Sequence, residues 1–247
     1  MARIYFASDF HLGIDGPQSS RERESAIVNW LEHISHDADE VYLLGDLFDY
    51  WFEYKTVVPK GFVRFLGKLA ELRDRGIPVS AFTGNHDMWM FGYFEKELGI
   101  PVFREPITRT FDNKSFMIGH GDGLGPGDHG YKLIKKIFRS KLCQWLFARI
   151  HPNLGIWLMK YFSGTSRSMT SIPDFLGEEK EWLIQYCNRK LDEQYFDFFV
   201  FGHRHIPIDH VLKNGVSRYI NCGDWLTYFS YAVWDGKDLH IKKFDAP

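Results

Sequence analysis

The sequence predicts an α/β fold, and two observations support this prediction. Short apolar runs alternate along the chain with segments in which apolar residues recur every three to four positions, which are the spacings of buried strands and amphipathic helices. The last part of the chain differs, because its apolar segments are joined by the hairpin turn sequences Asn214-Gly215 and Asp235-Gly236. We therefore expect one sheet covered by helices and a second sheet that a C-terminal β-meander completes.

Each predicted element follows from local pattern. Polar or glycine-containing residues directly follow the apolar runs that predict buried strands at residues 3–8, 41–44, 79–83, 115–118 and 198–201. Helices are predicted between them at residues 20–34, 59–75 and 178–191. The meander strands are predicted at residues 208–212, 217–220, 228–234 and 238–243. With 247 residues, of which 45% are hydrophobic, the chain can bury one large core, so we expect a single domain over residues 1–247.

Cysteine usage and the amino terminus indicate the compartment. Cys143, Cys187 and Cys222 are far apart and lack the paired spacing of a zinc or redox motif, so we expect reduced thiols. The apolar stretch at the amino terminus is too short for a signal peptide. No stretch reaches the roughly 18 apolar residues of a membrane span. We therefore expect a cytoplasmic protein.

Metal-competent side chains follow the predicted strands at the points where the strands end. These candidates are Asp9, His11, Asp46, Asn85, His120, His203 and His205. Ligands in open α/β sheets bind at the carboxyl ends of strands, where side chains from distant parts of the chain meet. Asp9 and His11 alternate by two, as do His203 and His205, so in an extended backbone both side chains of each pair project to the same side. We expect all these side chains to form one metal site.

The candidate ligands are sufficient for two divalent cations that share a carboxylate. We assign Asp9, His11, Asp46 and His205 to one cation, and Asp46, Asn85, His120 and His203 to the other. This mixture of imidazole, carboxylate and amide without thiolate suits Mn²⁺, Fe²⁺, Zn²⁺ or Co²⁺ better than Ca²⁺, and we expect Mn²⁺. Two cations about 3.5–4 Å apart promote hydrolysis of phosphoesters and phosphoanhydrides by activating water and stabilising charge on oxygen. That reaction class is the prediction.

The order and spacing of these motifs resemble those of the calcineurin-like metallophosphoesterase family. The motifs are D-x-H at 9–11, GD-x-x-D at 45–49, GNH-D at 84–87, GH at 119–120 and GH-x-H at 202–205. The resemblance implies a four-layer αββα sandwich of two mixed β-sheets. It also implies that Asp46 and His86 are catalytic and that Asn85 and His86 contact substrate, with His86 touching the reacting phosphate or protonating the leaving group.

Three carboxylates near the motifs have two possible roles. The resemblance implies that Asp49 or Asp87 supports His86. Asp49, Asp87 and Asp122 could equally be turn residues that hydrogen-bond their own backbone. The sequence leaves both roles open.

A basic and aromatic segment lies between His129 and Pro173. It contains no Asp or Glu, and its eight cations are Lys132, Lys135, Lys136, Arg139, Lys141, Arg149, Lys160 and Arg167. A helical pair that merely covers the core normally has acidic residues on its wet face. Basic helices with Trp, Phe and Leu on the other face are typical of binding to anionic membrane surfaces. We expect residues 129–173 to form a helical lid inserted over the site.

A basic, aromatic insertion at this position, followed by Gly223-Asp224-Trp225, resembles the UDP-2,3-diacylglucosamine diphosphatase branch of the family. The resemblance implies hydrolysis of a lipid-linked nucleotide sugar to UMP and 2,3-diacylglucosamine 1-phosphate, a step of lipid A biosynthesis at the cytoplasmic face of the membrane. It also implies substrate contacts from Asp128, Ser166 and Arg167. The best-known members of the branch carry Arg after the motif Asn, where this chain has His86.

Two other functions compete with this interpretation. A metal-dependent phosphodiesterase or phosphatase of soluble nucleotides or phosphoesters would have the same metal ligands without needing the insertion. A non-enzymatic membrane-binding module would retain the ligands only for structure. Nucleic acid is not expected as a partner, because the cations lie among large aliphatic residues rather than along a polar groove, and no obligate protein partner is evident.

Overall fold

The computed structural model describes residues 1–126, 129–168 and 175–245, and these form two sheets. The strands of the first sheet are β1 (Ile4–Ala7), β2 (Glu40–Leu43), β3 (Val79–Phe82), β4 (Val102–Phe103), β10 (Ser230–Trp234) and β11 (Leu239–Lys243). Their order is β11-β10-β1-β2-β3-β4. Strands β1 to β4 are parallel, whereas β10 and β11 are antiparallel to their neighbours, so the sheet is mixed.

The second sheet is also mixed. Its strands are β5 (Ile107–Phe111), β6 (Lys114–Ile118), β7 (Phe198–Phe201), β8 (Pro207–Val211) and β9 (Arg218–Cys222). Their order is β5-β6-β7-β9-β8, with β6, β7 and β9 parallel to one another and the two edge strands antiparallel. The carboxyl ends of β6 and β7 therefore lie side by side.

The described helices lie between and beside these strands. They are α1 (Ser20–Ile34), α2 (Val63–Asp74), α3 (Tyr93–Glu97), α4 (His129–Arg139), α5 (Lys141–Phe147), α6 (Pro152–Ser168) and α7 (Trp182–Glu193). Helix α1 begins with a capping box, in which the Ser19 side chain accepts from the Glu22 backbone N–H and the Glu22 side chain accepts from the Ser19 N–H. Within the described residues, no helix is long and apolar enough to cross a membrane.

Three hydrophobic cores separate four layers. Trp30 of α1 packs with Leu43 of β2 in the core between the helices and the first sheet. Between the two sheets, the rings of Phe6 and Phe116 stack with their centroids 6.3 Å apart. Ile184 of α7 belongs to a third core on the far side of the second sheet. The predicted four-layer αββα sandwich of two mixed sheets is thereby confirmed.

The predicted C-terminal meander is wrong in one respect. Strands β8 and β9 pair in the second sheet, but β10 and β11 pair in the first, where β10 lies beside β1. The chain turns at Gly223, whose φ of 75° favours glycine. Trp225 then enters the core that α1 shares with the first sheet, and its backbone N–H donates to the Asp9 carbonyl. The chain therefore passes from the second sheet to the first at the point where the Trp225 indole is buried.

Helices α4 to α6 occupy the segment in which inserted helices were predicted. They pack on the loops that follow β2 and β3, since the Trp89 indole N–H donates to the Phe138 carbonyl over 2.8 Å. The ring of Phe147 lies 4.7 Å from the rings of both Phe52 and Trp89. The insertion is thus held beside the loops that carry Asp46 and Asn85. Its action as a lid within a single domain stays a prediction.

Candidate metal centre

The predicted ligand side chains meet at the carboxyl ends of strands from both sheets. One group of close ligand atoms comprises Asp9, His11, Asp46 and His205, and another comprises Asp46, His120 and His203, with atoms within 4.8 Å of one another in each group. The Asn85 carbonyl oxygen lies 3.3 Å from His120 Nε2 and 3.0 Å from His203 Nδ1. The structure therefore brings all these residues together in the two sets that the sequence indicated, and Asp46 belongs to both.

Several buried polar atoms at the centre fit a cation. Asp9 Oδ1, Asp46 Oδ2 and His11 Nε2 are buried and have no hydrogen-bond partner among the described residues. His11 Nε2 lies 3.8 Å from each of these two oxygens. His205 Nε2 lies 3.4 Å from Asp9 Oδ1, and His120 Nε2 lies 3.4 Å from Asp46 Oδ2. Unpaired buried carboxylate oxygens are costly, and divalent cations would satisfy them.

The backbone at five of the seven candidate ligands is left-handed rather than extended. The φ angles are 57° at Asp9, 44° at His11, 51° at Asp46, 70° at His203 and 59° at His205. The expectation that the Asp9/His11 and His203/His205 pairs converge through extended backbone is therefore wrong, because the chain turns sharply at each of these residues. Non-glycine residues in this region cost about 1–3 kcal/mol each and cluster at functional sites. The strain aims the side chains inward.

Glycines beside the ligands allow the strand ends to approach one another closely. Gly45 has a φ of 91°, and a Cβ there would lie 2.8 Å from His120 Nδ1 and 2.7 Å from the Gly84 backbone nitrogen. A Cβ at Gly84 would overlap the Asp46 carboxylate. Any side chain at these two positions would push β2, β3 and β6 apart. The GD and GN motifs thus reflect close packing as well as chemistry.

Oxygen atoms face the Nδ1 atoms of three of the histidines, and two of these contacts are hydrogen bonds. His120 Nδ1 donates to the Leu44 carbonyl over 2.7 Å, which leaves Nε2 facing Asp46. His205 Nδ1 lies 3.4 Å from Asp224 Oδ2, and His11 Nδ1 lies 3.6 Å from Asp49 Oδ1. Such partners fix the ring and raise its basicity as a ligand. The Gly223-Asp224-Trp225 segment was singled out in the sequence, but the role of Asp224 beside His205 was missed.

Asp87 and Asp49, for which the sequence left two roles open, make different contacts in the structure. Asp87 accepts backbone N–H groups of Gly84 and Leu47, each over 2.7 Å, so it fixes the two ligand loops as a turn residue. The Asp49 carboxylate instead faces two imidazoles, with Oδ1 3.6 Å from His11 Nδ1 and 3.7 Å from His86 Nδ1. Asp49 therefore lies where it can orient both rings.

His86 is placed at the edge of the centre. Its backbone N–H donates to Asp46 Oδ1 over 2.8 Å, and its ring lies edge-on to that of His11 with centroids 4.8 Å apart. The side chain is only 12% exposed. Burial lowers the pKa of His86, and the charge of Asp46 partly opposes this effect. The side chain is therefore close enough to the ligands to meet a group that they bind.

The electrostatics of the centre favour ionised carboxylates. Burial acts to raise the pKa of Asp9, but the nearby charges of His205 and His120 and the close approach of His11 outweigh it and lower the pKa to about 2. Burial likewise acts to lower the pKa of His120, but the charge of Asp46 raises it to about 10. Imidazole binds a metal only in its neutral form, so cation binding displaces such protons.

Arg23 of α1 holds the loop that carries Asp9 and His11. It is 1% exposed, and its guanidinium donates to the carbonyls of Phe10 (2.8 Å), His11 (2.7 Å) and Ile14 (2.5 Å). Replacing Arg23 with Met should lower the free energy of unfolding by about 3 kcal/mol, because each buried acceptor left unpaired costs about 1–3 kcal/mol. Urea unfolding of the metal-free protein measures this change.

A matched substitution controls for the loss of charge. Arg21 lies in the first turn of the same helix and is exposed, so Arg21→Met should change the unfolding free energy by less than about 0.5 kcal/mol. Equal effects of the two substitutions would show that the carbonyl contacts of Arg23 do not stabilise the loop.

The remaining predicted substrate contacts lie in or near the insertion. Asp128 lies outside the described residues. Ser166 and Arg167 belong to the last turn of α6. Their contacts with substrate stay a prediction.

Comparison with known proteins agrees with this geometry. The calcineurin-like phosphoesterase model matches residues 2–207. The chain is 40% identical to UDP-2,3-diacylglucosamine hydrolase of Porphyromonas gingivalis, over 99% of this chain and 98% of that protein. It is 28% identical to the protein of the same name from Aeromonas salmonicida, over 98% of this chain and 93% of that one.

A solved structure shows the same fold. It is a hypothetical protein of Pyrococcus horikoshii that superposes with a TM-score of 0.51 at 11% identity, over 99% of this chain and 89% of that one. The match of the family model over most of the chain, together with the sandwich and the grouped ligands, shows that this protein belongs to the calcineurin-like phosphoesterase family of metal-dependent phosphoester hydrolases.

Proposed function

We propose that this protein cleaves the pyrophosphate of UDP-2,3-diacylglucosamine, giving UMP and 2,3-diacylglucosamine 1-phosphate. One observation carries the proposal: nearly the whole chain matches a hydrolase of that name at 40% identity. The grouped candidate ligands and the helices at residues 129–168 support it, because this substrate has both a pyrophosphate and acyl chains.

The metal centre in this proposal uses the residues that the structure groups. Asp9, His11, Asp46 and His205 would hold one divalent cation, and Asp46, Asn85, His120 and His203 would hold the other, with Mn²⁺ as the proposed metal. When bound, two such cations supply Lewis-acid activation of water and of phosphate oxygens. Asp49, Asp224 and the Leu44 carbonyl keep the imidazoles oriented.

His86 is the proposed catalytic residue beside the ligands. Its position at the edge of the centre allows it to donate to an oxygen of the reacting phosphate or to protonate the leaving group. Asp49 orients its ring, since the Asp49 carbonyl lies 3.2 Å from His86 Nδ1. An imidazole here replaces the arginine that the best-known members of the branch carry.

The helices α4 to α6 supply the proposed contact with lipid. Large apolar side chains exposed on them are Leu133, Ile134, Ile137, Leu142, Trp145, Leu146, Leu154, Trp157 and Tyr161. The same segment carries eight cations and no acid. Apolar side chains of this kind can hold acyl chains or enter the headgroup boundary, while each nearby cation adds about 1 kcal/mol on an anionic surface. We therefore propose a cytoplasmic enzyme that associates peripherally with the membrane.

Two exposed indoles on these helices test the lipid contact. Trp145 and Trp157 are 53% and 59% exposed, whereas Phe138 packs on Trp89 and is unsuitable for substitution. Trp145→Ser and Trp157→Ser should each raise KM for the lipid substrate about tenfold, since burying one large apolar side chain contributes about 1.5–3 kcal/mol. Mn²⁺ affinity and turnover of a small soluble ester should not change.

The control for these variants is an exposed apolar residue elsewhere. Val216, on the turn between β8 and β9, is 65% exposed, and Val216→Ser should leave all the kinetic constants unchanged. An unchanged KM for lipid substrate in both indole variants would refute the role of the insertion.

Release of UMP from UDP-2,3-diacylglucosamine tests the function itself. The assay uses detergent micelles and added Mn²⁺, beside bis-p-nitrophenyl phosphate as a soluble comparison. Fast release of UMP with slow turnover of the soluble ester is expected. Fast turnover of the soluble ester without release of UMP would replace this proposal with a soluble phosphodiesterase.

A further inference from the structure

The two ends of the α4–α6 insertion lie against each other on the body of the protein. We call residues 121–126 the first root and residues 175–183 the second root. The backbone at Gly125 lies so close to Trp182 that a Cβ there would overlap the indole side chain. A Cβ at Gly121 would lie 3.0 Å from Leu183 Cδ1, and Arg189 of α7 donates to the Leu124 carbonyl over 3.2 Å. The insertion therefore leaves and re-enters the body at one place.

The first root contains an ion pair with α4 in which the carboxylate is buried and the ammonium group is partly exposed. Asp122 is 6% exposed and lies two residues after His120. Its Oδ2 atom lies 2.6 Å from Lys135 Nζ and accepts from the Tyr131 hydroxyl over 2.5 Å. Lys135 also donates to the Asp122 carbonyl over 2.9 Å. A single residue of the His120 loop thus fixes two residues that lie one turn apart on α4.

The second root contains an ion pair with the other histidine loop in which the carboxylate is buried and the guanidinium is partly exposed. Glu181, the residue before α7, is 1% exposed. Arg204 binds it through two parallel hydrogen bonds, from Nε over 2.8 Å and from Nη2 over 2.7 Å. Arg204 lies between His203 and His205, so its two hydrogen bonds with Glu181 join the second root to the loop of two candidate ligands.

We propose that Asp122 and Arg204 are positioning residues that couple the placement of the insertion to the His120/His203 side of the metal centre. The two carboxylates are buried, so separating either of them from its cation would leave an uncompensated charge in the interior. A displacement of α4 or of the second root therefore displaces the loops of His120 and His203. Coupling of this kind is reciprocal, so cation binding also steadies the insertion. A role for this coupling in binding a lipid substrate rests on the proposed function, but the coupling itself does not.

Amide hydrogen exchange and Mn²⁺ affinity test the coupling without substrate. In the wild type, Mn²⁺ should slow exchange in α4. Asp122→Asn keeps the shape but removes the charge, and should weaken Mn²⁺ binding roughly 10–100-fold, the range for lost support of metal ligands. In the Asp122→Asn variant, saturating Mn²⁺ should no longer slow amide exchange in α4. Arg204→Lys keeps the charge but loses the paired hydrogen bonds to Glu181. This variant should also bind Mn²⁺ more weakly, and saturating Mn²⁺ should no longer slow amide exchange in residues 176–183.

A second ion pair between α4 and the body supplies the control. Arg139 binds Glu105 over 2.6 Å, but both side chains are exposed and remote in sequence from the histidines. Glu105→Gln should leave Mn²⁺ affinity and exchange in α4 as in the wild type. Tyr131→Phe removes one hydroxyl only and should shift both readouts in the same direction as Asp122→Asn, by a smaller factor.

The outcomes separate coupling from simple anchoring. Faster exchange in α4 with wild-type Mn²⁺ affinity in both Asp122→Asn and Tyr131→Phe would overturn the proposal, as would an absence of Mn²⁺ protection in the wild type. Failure of the wild type to release UMP would instead refute the proposed function and leave the coupling intact, because neither readout uses substrate.

Discussion

Replacing Asp46 with Asn is expected to reduce turnover at least about 1000-fold, because cations contribute several kcal/mol to stabilising the transition state and each 1.36 kcal/mol is a factor of ten. Asp46 is the residue shared by both ligand groups, and it is 1% exposed. Its Oδ1 accepts from the His86 backbone, while Oδ2 faces His120 Nε2. An amide keeps the shape of the carboxylate, but its NH₂ group can neither accept a hydrogen bond nor bind a cation.

Metal content and kinetics measured on the same samples check this expectation. Asp46→Asn should bind fewer than two equivalents of Mn²⁺ and keep the circular dichroism spectrum of the wild type. Asp74→Asn, an exposed carboxylate at the end of α2, is the matched control and should keep both ions and full turnover. Two bound ions together with wild-type turnover in Asp46→Asn would remove Asp46 from the bridging role.

His86→Ala is expected to reduce kcat about 100- to 1000-fold, the range for losing one donor to developing charge at a reacting centre. Mn²⁺ affinity should change little, because His86 belongs to neither of the two ligand groups that contain Asp46, although it forms a third candidate group with His11 and Asp49. His86→Arg should recover part of the loss, since a guanidinium also donates to phosphate oxygens. Wild-type kcat in His86→Ala would exclude His86 from the chemistry.

A series of aryl phosphodiesters separates the two roles open to His86. If its imidazole contacts the phosphate, His86→Ala should slow every ester by the same factor. If it protonates the leaving group, the loss should grow with the basicity of the leaving group, because good leaving groups depart without a proton. Val216→Ser again serves as the unaffected control.

The sequence predicted the positions of short, buried strands most accurately. Strands β1, β2, β3, β6 and β7 lie within one residue or so of their predicted positions, because an apolar run bounded by polar residues has few alternative placements. Strand β4 and helix α3 are too short for any periodicity to be detected. The sheet that β10 and β11 join was mistaken, because a hairpin turn specifies that two strands pair with each other but not which sheet they join.

The candidate site shows the same limit. Its motif residues could be chosen from the sequence because each follows a strand end. Their left-handed backbone could not, since the D-x-H spacing alone suggests an extended chain. The partners of these residues come from far along the chain: Arg23 holds the His11 loop from α1, and Glu181 holds Arg204 from the start of α7. Such contacts depend on tertiary structure rather than on local pattern.

The origin of the ligands in both sheets has a consequence for folding. Asp9, His11, Asp46 and Asn85 follow strands of the first sheet, whereas His120, His203 and His205 follow strands of the second. Cations bound by these residues would link the two sheets across their interface. A ligand present at 100 times its Kd adds about 2.7 kcal/mol to the stability of the state that binds it. Removal of divalent metal is therefore expected to lower the free energy of unfolding of the sandwich as well as the rate of turnover.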